Sequence, residues 1–157
     1  MLQEKRLELY SLAQEEGQAV WFLGVPVFIK ATGEQTGGAF GLTEQILPVG
    51  DESPYHIHHA EDEIFFVLEG ELTFISGNRK ITGTAGSYTF LPRDIPHGFK
   101  VTGDKPVRFF ILNTPAGYEQ FVLEMSEPTP PDGPPDLDKL VAVAAKYNIE
   151  ILGPLPE

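Results

Sequence analysis

From Val20 onward the chain breaks into short runs rich in β-branched and aromatic residues, each closed by glycine, proline or a polar turn. VWFLG, VPVFIKAT and GAFGLTEQILPVG come first, with the polar turn GEQTGG before or within the third. EIFFVL follows, and then ELTFI and KITGTAG flank Ser76, Gly77 and Asn78, a composition suited to a tight hairpin. SYTFLP, HGFKV and VRFFILN complete the series, the last two joined by a turn at Gly103 and Asp104. So many short strands at close intervals read as antiparallel, and the chain is predicted to be all-β, a sandwich or barrel. Its 16 glycines and 14 prolines supply the corners.

The ends differ in texture. Residues 2–16 carry Leu2, Leu9, Leu12 and Ala13 among charges and predict a short amphipathic helix. After the strands, Thr114 followed by Pro115 predicts a helix start, with Tyr118, Phe121, Val122 and Met125 along the helix packed on the outside or mouth of the barrel. EPTPPDGPPD is too rich in proline for a helix or central strand and reads as an extended connector. A second helix is predicted over about Leu137 to Tyr147, with Leu140, Val141, Ala144 and Tyr147 on one side, and IEILG ends the chain as a cap on the barrel or a contact with a second subunit. A length of 157 residues fits a single domain over 1–157, with a barrel over about 20–113 and a helical tail over about 114–157.

The chemistry concentrates in GDESPYHIHHAEDEIFFVLEG, Gly50 to Gly70. His56 and His58 stand two apart, so on an extended strand both imidazoles leave the same face. A short turn through His59, Ala60, Glu61 and Asp62 would fold EIFFVL back on that strand as a hairpin and bring Glu63 beside the histidines. His97, which follows the Pro92 and Pro96 turn, offers a fourth ligand. Three imidazoles and a carboxylate suit a divalent first-row transition metal. His59 is the remaining one of the 4 histidines and points to the opposite face.

These residues resemble the two signature motifs of the cupin superfamily. Gly50, His56, His58, Glu63 and Gly70 meet every position of the first motif; Gly86, Pro92 and His97 fit the second, with Asp94 where glycine is expected and Val101 where asparagine is. Asp tolerates a left-handed backbone better than most residues, so the turn survives. FLG at Phe22 to Gly24, TGEQTGGAFGLTEQ and TPAGYEQF resemble the single-domain, quercetin dioxygenase-like branch of the superfamily. The resemblance implies a small double-stranded β-helix, or jelly-roll barrel, with peripheral N- and C-terminal helices and one divalent transition metal per chain, whether iron, manganese, nickel, cobalt, copper or zinc. Strand alternation would place Phe65 and Val67 on the face of Glu63, and Phe99 on that of His97, giving Phe65 and Phe99 as pocket residues. On the third strand, 39–47, Thr43 and Gln45 share one face and Leu42, Glu44 and Ile46 the other, and the sequence does not say which looks inward.

Three functions are compatible with such a site. The first is a dioxygenase acting on a flavonol-like or other enolisable small molecule, with Glu63 as the general base. A second is a non-redox isomerase, hydrolase or decarboxylase of a sugar acid or keto acid, which would want cations near the metal. The third is a small-molecule-binding barrel without catalysis. A formal charge of -12 disfavours nucleic acid and anionic membrane surfaces, and no apolar run approaches a membrane span, so a cytoplasmic location is expected. With no cysteine, neither disulfides nor thiolate ligands enter. Edge strands and the cupin resemblance together suggest a homodimer.

Overall fold

The structure is a computed structural model that describes residues 6–157. Eleven strands and three short helices follow in the order β1 Gln18–Phe22, β2 Val25–Ala31, α1 Gly33–Thr36, β3 Gly41–Leu47, β4 Tyr55–His58, β5 Asp62–Glu69, β6 Glu71–Ser76, β7 Arg79–Thr84, β8 Tyr88–Leu91, β9 Gly98–Thr102, β10 Val107–Thr114, α2 Tyr118–Met125, α3 Leu137–Lys146 and β11 Ile149–Gly153. One sheet runs β1-β2-β3-β10-β5-β8 and faces a second built from β7-β6-β9 and β11-β4. The two parts of the second sheet meet through the antiparallel bridges Glu52↔Lys100 and His56↔His97. Two facing antiparallel sheets of this kind form the jelly-roll barrel that the short punctuated runs predict.

Alternation along the strands builds the core. Phe65 and Val67 of β5 and Phe109 and Ile111 of β10 are buried, as are Leu72 and Phe74 of β6 and Phe99 and Val101 of β9 across from them. Their rings interlock: Phe65 lies 5.0 Å from Phe74 edge-on and 5.5 Å from Phe109 in a stack. Such aromatic pairs add about 0.5–1.5 kcal/mol each beyond the area they bury. On β3 the inward face is that of Thr43, Gln45 and Leu47, all buried. Glu44, on the outer face, is buried as well, because the chain's N-terminal segment covers it.

That segment corrects one expectation. Residues 6–13 form no helix and the chain only turns at Gln14 and Glu15; Leu2 lies outside the described residues. Instead the segment lies as a strap over β2 and β3, fastened by polar groups. Lys30 Nζ donates to the carbonyls of Ala13 and Glu16, each at 2.6 Å, and pairs with Glu44 at 3.1 Å. Glu44 also accepts from Glu15 N at 2.9 Å and from Arg108 at 3.1 Å. Backbone carbonyls satisfied by a buried lysine are not available to a helix ladder, so tertiary contacts override the weak amphipathic pattern.

The C-terminal part departs in three places. Thr114 is the last residue of β10 and its hydroxyl donates to Ala39 O, so it caps no helix. The start of α2 is held by Glu119 instead, which accepts from Gly117 N at 3.0 Å and Gly33 N at 3.1 Å. On α3 the buried residues are Leu140, Val143 and Ala144, while Val141 stands half exposed. Finally, IEILG is a full partner in the barrel: β11 pairs with β4, Ile149 opposite His58 and Ile151 opposite His56.

Candidate metal centre

The histidines are carried by β4, whose partners are β11 and, through the His56↔His97 bridge, the start of β9. Glu63 sits on β5, which pairs with β10 and β8 in the opposite sheet. The expected hairpin between the His56–His58 strand and the Glu63 strand is therefore absent. Residues 59–61 carry the chain across from one sheet to the other, and Glu63 approaches the histidines over the barrel interior. His56 N donates to His97 O and His97 N to His56 O, both at 2.9 Å, so the two strands hold these residues side by side. Asp94 stands at φ 68° in the left-handed region, which lets the turn before His97 close without a glycine.

His56, His58, Glu63 and His97 each offer a ligand atom, and the four atoms lie within 4.8 Å of one another. The outer nitrogen of every ring is already engaged. His56 Nδ1 is 2.7 Å from Pro54 O, His58 Nδ1 is 2.9 Å from Glu61 Oε1, and His97 Nδ1 is 3.1 Å from Ile95 O. A ring that donates from Nδ1 to an oxygen keeps its Nε2 lone pair free, so three lone pairs converge on one point beside Glu63. Glu63 Oε1 and His97 Nε2 are buried 3.3 Å apart, and Glu63 Oε1 also pairs with His58 Nε2, so one carboxylate oxygen is shared between two rings. Buried polar atoms crowded around a shared centre are costly unless something sits between them. A divalent cation with nitrogen and oxygen ligands fits that centre.

The protonation of the bare site says the same in another way. Burial, with the charges of His58 and His97, holds His56 down to about 3. Burial also opposes charge on His58, but the Glu63 carboxylate and hydrogen bonds to Glu61 and Glu63 outweigh it and raise His58 to about 9. Burial pushes Glu63 up, while the charge and hydrogen bond of His58 and the hydrogen bond of His97 bring it well below the usual carboxylate range. The cluster thus favours a charge on His58, beside two carboxylates, and disfavours one on His56.

A cavity of about 650 Å³ opens from this cluster. Phe99 lines it, as do Gln45, Tyr118 and Phe121. Phe65 does not; it is buried among Phe74, Phe99 and Phe109 beneath the cavity floor. Phe66 is 38% exposed on the outer face beside Tyr88. His59 also lies outside, 43% exposed, between Asp94 at 2.7 Å and Glu150 at 3.0 Å. Among the described residues no lysine or arginine lines the cavity; Arg93 is paired with Asp62, and Arg108 with Glu44 and Glu69.

Two contributions escape a reading of the sequence. Glu61 is buried against His58, and its signal is a carboxylate three residues past a candidate ligand. Tyr118 and Phe121 of α2 face the cavity and not merely its exterior, with the Tyr118 ring 5.7 Å from His58 and its hydroxyl 3.4 Å from Gln45 Nε2. Burial and the Glu63 charge raise the Tyr118 phenol, so it stays protonated.

Comparison with known proteins agrees with this geometry. The family profile described as the cupin domain matches residues 43–113. That match covers 71 of the chain's 157 residues. Its span takes in all four residues of the cluster. An uncharacterized protein of Methanocaldococcus jannaschii is 30% identical over 74 residues, covering 47% of this chain and 59% of that one. Quercetin 2,3-dioxygenase of Bacillus subtilis is 25% identical over 100 residues, covering 64% of this chain and 29% of that enzyme. This chain therefore spans about half or less of the length of these curated relatives. Among solved structures, a polyketide cyclase from Streptomyces resistomycificus shares the fold with a TM-score of 0.58 and 20% identity, over 68% of this chain and 80% of that one. The fold is common ground with the solved structure; the reaction is not settled by likeness.

Proposed function

We propose that the protein is a metal-dependent dioxygenase of a neutral, flat, enolisable hydroxy compound of flavonol type. The observation that carries this reading is the character of the cavity: the His/Glu cluster stands at the end of an apolar, partly aromatic chamber whose lining, among the described residues, has no lysine or arginine. A sugar acid or keto acid would find, among the described residues, no lysine or arginine in the lining to pair with, whereas a neutral ring system suits the apolar walls. The similarity to quercetin 2,3-dioxygenase supports the same reading at the level of analogy.

His56, His58, Glu63 and His97 would hold the metal, which when bound supplies Lewis acidity and, for a redox-active ion, a path for electrons between substrate and dioxygen. The residues themselves bind, orient and move a proton. Phe99 and Phe121 flank a planar substrate, and the Tyr118 phenol with Gln45 Nε2 gives it a polar edge to register against. Glu63 Oε1 takes the proton of the substrate hydroxyl. Burial pushes Glu63 up, but the charge and hydrogen bond of His58 and the hydrogen bond of His97 keep it ionised and able to accept a proton.

Elemental analysis of the purified protein, followed by oxygen consumption with a flavonol panel on the same sample, tests the reading. About one redox-active metal per chain with flavonol-dependent uptake supports it. One metal with no uptake, but turnover of an anionic sugar or keto acid, replaces it. Glu63→Gln should lower the oxygenation rate about 100-fold or more, well beyond its effect on metal content, and an unchanged rate removes Glu63 as the base.

A further inference from the structure

The cavity has a wall that the cupin-domain match does not reach. Residues 43–113 supply the metal cluster and Phe99, whereas α3, β11 and the residues after β11 close the outer side. Three large aliphatic side chains of this wall both line the cavity and stand open to solvent: Leu137 is 67% exposed, Val141 50% and Leu152 44%. Exposed aliphatics gathered at the mouth of a chamber mark a surface that an apolar ligand covers. The wall is also firmly placed. Leu140 and Ala144 anchor α3 in the core, Asp136 caps it by accepting from Lys139 N at 3.1 Å, and β11 shares a ladder with the strand that carries His56 and His58. Below the rim, a side chain at Gly98, next to the candidate ligand His97, would run into Leu155 and Pro54 O, so the tail seats directly on the metal strand.

The charge at the mouth has one sign. Asp51 and Glu52 line the cavity, and among the described residues no lysine or arginine lines it to offset them. A ligand entering past two carboxylates meets repulsion if its trailing end is anionic.

We infer that residues 135–155 are the specificity wall of this site, and that its ligand is an elongated apolar molecule whose inner oxygen lies at the His/Glu cluster and whose outer end, at Val141 and Leu152, is uncharged or cationic. The inference rests on the proposed reading of the cluster as the place where the inner end of a small molecule is held, but not on oxygenation. A volume of about 650 Å³ accommodates a molecule of drug-like size along this path.

Fluorescence titration of the zinc-loaded protein tests it, because zinc holds the ligand without redox turnover. The probes are 3-hydroxyflavone and two derivatives of it carrying a carboxylate or a trimethylammonium group at the far end of the pendant ring. Wild type should bind the neutral and cationic probes and the carboxylate at least tenfold more weakly. Val141→Asp and Leu152→Asp, at exposed positions where the fold tolerates charge, should weaken the neutral probe at least tenfold with zinc stoichiometry intact. Asp51→Asn combined with Glu52→Gln should restore binding of the carboxylate. Equal binding of all probes, wild-type affinity in both rim variants, or no binding of any probe overturns the inference. So does a change in sedimentation of the rim variants without a change in probe affinity, which would make the rim a contact between copies. Tight, charge-selective binding without flavonol-dependent oxygen uptake on the iron-loaded protein would leave the wall standing and remove the dioxygenase.

Discussion

His58 meets two carboxylates at once: Glu61 at its outer nitrogen and Glu63 at its inner one. The first fixes the ring and its tautomer, the second shares the centre to which Nε2 points. Glu61→Gln keeps an acceptor but loses the charge that makes His58 a stronger donor of its lone pair. Zinc affinity, measured by competition with a chelator, should fall about 10–100-fold with the barrel intact. An unchanged affinity would reduce Glu61 to packing. His58→Ala should abolish stoichiometric metal, while His59→Ala should leave it unchanged, since His59 faces solvent between Asp94 and Glu150. Equal metal content in the two variants would refute the ligand assignment. His56 and His58 were legible because a period of two on a strand is a hard geometric constraint. Glu61 was not, because a loop has no period, and nothing in the sequence says which of Glu61 and Asp62 turns inward.

Among the elements, the strands and the helices α2 and α3 were readable, whereas the N-terminal strap and the pairing of β11 were not, for one physical reason. A strand's alternation reports its own two faces, whereas the strap and the tail take their form from what they land on. The sequence around His58 and Glu63 invites a hairpin, yet β4 prefers β11, about ninety residues downstream, and periodicity carries no information about so distant a partner. The strap is the better place to test this dependence. Glu44 is buried under it, and although burial raises its pKa, hydrogen bonds from Glu15, Lys30 and Arg108 bring the net value below 4.5. A carboxylate with a depressed folded pKa contributes stability that is complete above its unfolded value and fades as pH falls through the folded one. Exchange protection at Glu15 N and Glu16 N, measured relative to the intrinsic rate at each pH, should therefore be high near neutrality and drop as pH falls through the lowered pKa of Glu44. Glu44→Gln should show low protection at every pH, and because it leaves Lys30 with neutral acceptors only it should lower stability in denaturant melts. A strap that stays protected in the variant would show that Lys30 and Glu44 do not hold it.

The whole molecule is two sheets whose facing cores are apolar but whose one polar crossing is the candidate metal centre. His56, His58 and His97 belong to one sheet and Glu63 to the other, so a cation held by all four ties the sheets together at the open end of the barrel. Without it, the same end crowds Glu63 against the ring nitrogens of His58 and His97. Metal should thus act on global stability and not only on the local loop. Binding to the folded state alone adds about 4 kcal/mol when free metal is a thousandfold above its dissociation constant. For a chain of this size, each kcal/mol moves the midpoint by about 2–4 °C, so thermal melts should rise by roughly 8–16 °C on adding zinc or manganese and fall back with EDTA. The same shift must vanish in His97→Ala, because that substitution leaves each sheet whole and removes one of the ligands by which the cation joins them. A wild-type midpoint indifferent to metal, or a His97→Ala protein that responds like wild type, would mean that the four converging side chains are a buried polar cluster satisfied by a proton on His58, and that the barrel closes without a metal.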